Sequence, residues 1–430
     1  MKNNIGKTIY KWAQDLFPLN RSLSGEGVRE TLAYINNLLP DLKIKHFNSG
    51  QKAFDWTIPP EWEVKKAFIK NSKGDTIIDF KNLNLHLVGY SIAVNQKMKY
   101  EELIKHLYYI KNMPDAVPYK TSYYEKNWGF CLSYNDFKKL DKNEIYEVVI
   151  DSKLFSGKLN YGELIIEGSS KKEVLFSTYI CHPSMANNEI SGPVVLTAVA
   201  KYIKSINNFY TYRILFIPET IGSIAYLSEK ERYKYLKKNV IAGFQVTCVG
   251  DEKNCSYIET RNGDTYSDRI IQFYLKQKNI LHKRYSFLER GSDERQWCSP
   301  GIDLPVASLI NTKYGKYKEY HTSLDDLNFI SPKGLEFSYN NLKNCIEILE
   351  TNKTYKSKFL CEPQLSKRNL YVGLNNNFSR EKSKLITNIL AYSDGINSTL
   401  DISEILEEDF FLVNELSKIL LKNELIIECQ

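Results

Sequence analysis

An α/β chain with a β-rich insert and a helical C-terminal module is what three features of this sequence predict. From Lys172 to about Glu350, short apolar runs alternate with stretches of helical spacing, the rhythm of a mixed sheet with helices on both faces. Between about Asp55 and Val149 the texture changes to short β-like runs. The end of the chain holds three helical segments after a polar stretch. At 430 residues the chain exceeds one typical domain, and the expected division is 1–50, 51–150, 151–352 and 353–430.

Taken in order, residues 5–40 read as two helices, "GKTIYKWAQDLF" and "SGEGVRETLAYINNLL", each with an apolar face at helical spacing. The insert follows, with "AFIKN", "DTIIDF" and "LHLVGYSIAV" as strand-like pieces and "YEELIKHLYYI" as a helix. Then "KEVLFSTYI" is a short, apolar, β-branched run that predicts a buried strand, and "SGPVVLTAVAKYIKSI" a helix ending in lysines. The strands "YRILFIPE", "VIAGFQVTCVG" and "LPVASLIN" alternate with the helices "GSIAYLSEKERYKYL", "YSDRIIQFYLKQKN" and "GLEFSYNNLKNCIEILE". Residues 352–380 are polar and predict a linker. The cadence "LDISEIL…ELSKILLKNELI" beyond them predicts a winged-helix-like module.

Composition narrows the function classes. With 43% hydrophobic and 25% charged residues the chain is of ordinary globular type. Its 58 basic and 51 acidic residues leave a net charge of +7. The lysines are dispersed and few fall on the second helix of the C-terminal module, so nucleic acid is not an expected partner and that module is expected to pack rather than read DNA. No run approaches the roughly 18 apolar residues of a membrane span. Eight cysteines without framework spacing, and an N-terminal stretch without the apolar core of a signal peptide, point to a cytoplasmic protein with reduced thiols.

Three segments carry chemistry to the C-terminal ends of predicted strands, where open α/β sheets keep their ligand sites. They are "HPSMANNEISG" from His182, "FIPETIGS" with Glu219, and "KEYHTSLDDL" with His321. Two histidines with nearby carboxylate or amide oxygens are a zinc-type donor set, and Glu219 is then placed to take a proton from a metal-bound water. "RGSDERQW" adds Asp293, Glu294 and Arg295, and "ETRNGDTYSDR" adds Arg261 and Asp264, as candidates for binding a substrate. Asp325 and Asp326 could cap the next helix or orient His321.

The succession "HPSMANNEISG", "IPETIGS", "GSDERQW…GIDLPVASL" and "YHTSLDDL" resembles the co-catalytic zinc aminopeptidases, to which glutaminyl cyclases are similar. More closely, "WTIPPEW", "LHLVGYS", "VPYKTSYY", "WGFC", "YICHPSMANNEISGP" and "LAYSDG" resemble the bacterial aminopeptidase-like proteins of polysaccharide-biosynthesis loci. That resemblance implies an aminopeptidase-like mixed sheet, a small β-rich inserted domain and a C-terminal winged helix. It also implies that His182 and His321 are zinc ligands and that Glu219 is the general base. This chain departs from the di-zinc pattern, with Asn188 where the bridging aspartate is expected, Thr220 in place of the second glutamate, and Thr247 at the later aspartate. Two cations close together repel unless carboxylates neutralise them. The resemblance therefore implies one Zn²⁺ per chain, held by His182, His321 and an oxygen of either Asn188 or Glu189.

The expected activity is hydrolysis of a peptide or amide, with an amide of an amino sugar or modified amino acid as one option. A glutaminyl-cyclase-like acyl transfer and a non-catalytic ligand-binding or assembly role on the same fold are the alternatives. The expected partner is a small molecule or peptide, with self-association left open.

Overall fold

The computed structural model describes residues 5–370 and 380–429. They form two compact units, one of residues up to 269 with 281–342, the other of 270–280 with the chain from 343 onward. Among the described residues, no helix is long and apolar enough to cross a membrane.

The first unit is built on an eight-stranded sheet. Its strands are β1 (Lys43–Asn48), β2 (Lys158–Ile166), β3 (Glu173–Tyr179), β4 (Thr211–Ile217), β5 (Val240–Gln245), β6 (Ser256–Ile258), β7 (Lys283–Tyr285) and β8 (Val306–Ile310). They lie in the order β1-β2-β4-β3-β5-β8-β6-β7. The four middle strands, β4-β3-β5-β8, are parallel, while β1, β2 and β6 add antiparallel pairs. Every residue of β3 and β4 is buried, which is why both read as unbroken apolar, β-branched runs rather than alternating ones. Because β4 lies on one side of β3 and β5 on the other, the strand order reverses beside β3. The crevice at that edge is the expected place for a ligand.

The helix Ser191–Lys204 that follows β3 is buried along most of its length, with Lys201 and Lys204 in its last turn opposing the helix dipole. It starts close against the sheet. A Cβ on Gly192 would meet the Val246 carbonyl oxygen at 2.5 Å and Thr178 Oγ1 at 2.4 Å, so only glycine fits there. The two N-terminal helices are Ile5–Leu16 and Glu26–Leu38.

The insert is a four-stranded antiparallel sheet of Thr76–Asp79, Glu61–Lys70, Ile145–Phe155 and Val94–Lys99, in that order. The helix expected over "YEELIKHLYYI" is shorter. It ends at Leu103, passes through a single 3₁₀ turn, and becomes the strand Leu107–Tyr108, which pairs with Phe130–Cys131. The helix expected from Gly222 to Leu236 is two, Ile221–Ser228 and Lys230–Asn239.

In the second unit the polar stretch expected as a linker already contains structure. Thr354–Ser357 pairs with Asp394–Ser398 and with Ile426–Glu428, because Tyr355 alone among its polar neighbours is buried and anchors it in the core. Residues 371–379 of that stretch lie outside the described residues. The helices Arg380–Tyr392, Thr399–Leu406 and Phe410–Lys422 complete a winged helix. Ser398 and Asp401 form a reciprocal capping box at the second of them.

Candidate active site

His182, Glu219 and Thr247 sit just beyond the carboxyl ends of β3, β4 and β5, and His321 comes in after β8. Beyond His182 the chain forms a single π-helical turn, Ala186–Ile190, every residue of which is buried. Such turns recur at functional sites because the extra residue redirects side chains. Asp325 stabilises this one by accepting the backbone N–H of Asn187 at 2.6 Å and of Asn188 at 3.0 Å. Its carboxylate thus caps the turn, rather than the following helix or His321.

The two ring nitrogens of His182 face different surroundings. Nδ1 lies 2.8 Å from Glu189 Oε2 and 3.4 Å from Cys181 Sγ. Nε2 faces Glu219 Oε2 at 3.6 Å. Two donors on one tetrahedral zinc stand about 3.4 Å apart, so the shorter Glu189 contact is a hydrogen bond with no room for an ion between the partners. Cys181, His182 and Glu189 form a buried cluster of metal-ligating types, yet that distance makes Glu189 the residue that orients the imidazole. The Nε2 side is the one that can accept a metal. There the ring centroid of His321 is 5.5 Å from that of His182, close to the ~5 Å expected for two imidazoles on one zinc. Asn188 is 1% exposed and neither atom of its carboxamide has a hydrogen-bond partner. A buried amide in that state calls for a ligand, and its oxygen is a donor that zinc accepts. His182 and His321 are of a type that suits the nitrogen donors of a metal ion, and the Asn188 amide and Glu189 Oε1, both buried without a partner, are the candidate oxygens.

His321 has a left-handed backbone, φ 56°. The insert holds it there. Tyr119 N–H donates to the His321 carbonyl at 2.8 Å, Ser323 N–H donates to Val117 at 2.8 Å, and Pro118 bridges to Thr322. Thr220 is also left-handed (φ 63°, ψ −76°), a costly state for a β-branched residue. It is fixed from both sides. Its N–H donates to Asp293 Oδ1 at 2.7 Å and its hydroxyl accepts from Arg295 at 2.5 Å.

Burial dominates the electrostatics. It pulls both imidazoles down to about 3, with Arg21 adding to the effect at His182 and His182 adding to it at His321. It pushes the Glu219 carboxyl well above the usual range, with Asp293 reinforcing the shift and Arg295 opposing it. Asp293 itself rises to about 7 through burial, against the Thr220 N–H and the Ser223 hydroxyl. Glu219 is thus a carboxylate of raised basicity, its charged form disfavoured by Asp293 and favoured by Arg295.

Asp293 and Arg295 reach the Glu219–Thr220 corner. Glu294 is turned away, taking the N–H groups of Gly291 and Ser292 and the Tyr314 hydroxyl. Arg261 pairs with Asp303 at 2.8 Å and Asp264 is exposed; among the described residues no hydrogen bond or ion pair joins either to the His182 cluster. Asp251 is spent on Thr312, Lys253 and Asn187. Sequence reasoning missed Arg21, which is 1% exposed and donates to the carbonyls of His182 (3.1 Å) and Leu16 (2.7 Å), with Glu189 3.9 Å away. Its only signal was an arginine within "PLNRSLSG". Tyr119, whose ring centroid is 5.2 Å from those of both histidines, was also missed. It lay in the noted stretch "VPYKTSYY", which carried no hint of its distant partners.

The eight-stranded sheet and its helices make up an aminopeptidase-like fold. Residues 10–352 match the model of a domain of unknown function, DUF4910, and residues 353–428 that of a winged helix-turn-helix. The chain belongs to the DUF4910 family. It is 43% identical over 404 residues, 93% of this chain and 92% of the other, to a Clostridium acetobutylicum protein whose name couples polysaccharide biosynthesis with an aminopeptidase-like domain. A crystal structure from the same organism, described only provisionally as a peptidase, superposes with a TM-score of 0.93 at 41% identity, over 100% of this chain and 98% of that one. A zinc aminopeptidase of Bacillus subtilis shares the fold, with a TM-score of 0.58 at 14% identity, over 80% of this chain and 94% of that one.

Proposed function

We propose that this chain is a zinc-dependent hydrolase of the aminopeptidase type, cleaving a peptide or amide bond in a substrate of surface-polysaccharide metabolism. One observation carries the reading: the free Nε2 side of His182, backed by Glu189 on the other nitrogen, faces Glu219 at 3.6 Å with His321 alongside. His182 Nε2, His321 and the Asn188 oxygen would hold a single zinc, and Zn²⁺ there supplies a polarised carbonyl and a water acidic enough to attack at neutral pH. Glu219 Oε2, facing that side of His182, would accept a proton from an attacking water and return it to the leaving nitrogen, a role that its raised basicity suits. Asp293, whose Oδ2 is buried without a partner, and Arg295 bind the charged end of the substrate. Arg295 also places a fixed positive charge at Thr220, which disfavours a second metal there.

The test is metal content of protein purified without chelator, paired with a screen of aminoacyl and N-acyl amino-sugar amides. About one zinc per chain with turnover of one substrate class is the expected result. Protein that takes up no stoichiometric metal would sink the reading.

A further inference from the structure

A cleft of about 550 Å³ opens at His321, a volume in the ordinary range of small-molecule sites. Tyr108, Tyr109 and Phe137 of the insert wall it, with Tyr119 and Tyr320 beside the histidine. Lys120 is the one fixed charge among the residues lining it, and no acid lines it. The cleft and the candidate site are mechanically joined, since Tyr119 is hydrogen-bonded to the His321 carbonyl and Tyr320 stacks on the His321 ring with centroids 3.9 Å apart.

The wall is amphipathic in a particular way. Aromatic faces are electron-rich and attract polarised C–H groups, whereas phenol hydroxyls exchange hydrogen bonds. Four of the five rings carry that hydroxyl; that of Tyr119 is bonded to the Tyr123 hydroxyl at 2.9 Å, which leaves those of Tyr108, Tyr109 and Tyr320 for a ligand. A sugar ring offers both partners, C–H groups on its faces and hydroxyls around its edge. An aliphatic or phenyl side chain would cover the faces only, and the space exceeds what one such side chain fills. We infer that this cleft binds a saccharide unit of the substrate, with an acidic substituent toward Lys120, so that the scissile amide is borne on a sugar. The inference rests on the hydrolase reading for the bond cleaved, but not for the binding itself.

The full chain is titrated, by calorimetry and saturation-transfer NMR, with cellobiose, chitobiose, the glucuronate-containing disaccharide of hyaluronan, and phenylalanyl-leucine amide. The uronate disaccharide is expected to bind tightest. Tyr109→Ala should weaken it about fivefold or more, and Lys120→Ala, at an exposed position, should abolish its advantage over cellobiose. Saccharide binding that depends on Tyr109, without turnover of any amide, would leave the cleft assignment standing and remove only the hydrolase reading. Binding of the dipeptide amide alone, no saccharide affinity better than about 10 mM, or indifference to both substitutions in folded protein would overturn the inference.

Discussion

Glu219 Oε2 stands 3.6 Å from Nε2 of His182, although 37 positions separate the two residues in the chain. The contact exists because adjacent parallel strands, β3 and β4, end at the same edge. It places a basic carboxylate next to the nitrogen that is free to bind a metal. Glu219→Gln keeps size and hydrogen bonding but removes the base. The variant is expected to hold zinc as the natural protein does and to lose hydrolysis by about 10²–10⁴-fold. Metal analysis and turnover on the same sample check this; near-normal turnover with zinc bound would reduce Glu219 to a residue that merely precedes a helix.

His182→Ala and His321→Ala should each abolish stoichiometric zinc binding while leaving far-UV circular dichroism unchanged. Each removes one of two imidazoles whose ring centroids lie 5.5 Å apart. The natural protein should hold about one zinc. Two tightly held ions by elemental analysis would require a further carboxylate, which the hydrogen bonds already occupying Asp251 disfavour.

Arg21 acts through others. Because it pins the His182 carbonyl and lies beside Glu189, Arg21→Met should weaken metal affinity about 10–100-fold, the usual effect of losing an outer-shell partner. Arg21→Lys keeps the charge but cannot reach both carbonyls, so an intermediate affinity is expected. Competition with a chromophoric chelator reads all three proteins. Equal affinities would make the arginine a packing element alone.

Acid should expose the buried imidazoles. Both are held down to about 3 when folded, against ~6.5 in an unfolded chain. In the metal-free protein the stability linked to them is fully present above about pH 6.5 and is lost as pH falls toward 3, because the unfolded state binds protons that the folded state refuses. Replacing both histidines by glutamine should flatten that part of the decline, seen as a smaller difference between urea midpoints at pH 7 and pH 5. The carboxyls of Glu189, Glu219, Asp293 and Asp325, all raised by burial, act in the opposite direction and are present in both proteins. An unchanged difference would mean that neither ring is buried as neutral imidazole.

The strands and helices around the site were legible because burial leaves a local trace. The unbroken apolar runs of β3 and β4, the small-residue start of the helix after Gly192, and a proline directly before Glu219 are all properties of neighbouring residues. Those same runs placed His182 and Glu219 at strand ends. Spacing alone left Asn188 and Glu189 equivalent as oxygen donors, since they are adjacent. The π turn gives them different surroundings, with one Glu189 oxygen on His182 Nδ1 while its other oxygen and the Asn188 amide are buried and unpartnered. Arg21, Tyr119 and the strained His321 were decided entirely by tertiary contacts, with 161 positions between Arg21 and His182. Periodicity reports which face of an element is dry. It carries no record of which distant loop will close over that face, and here the insert and the loop between the first two helices set the geometry of the site.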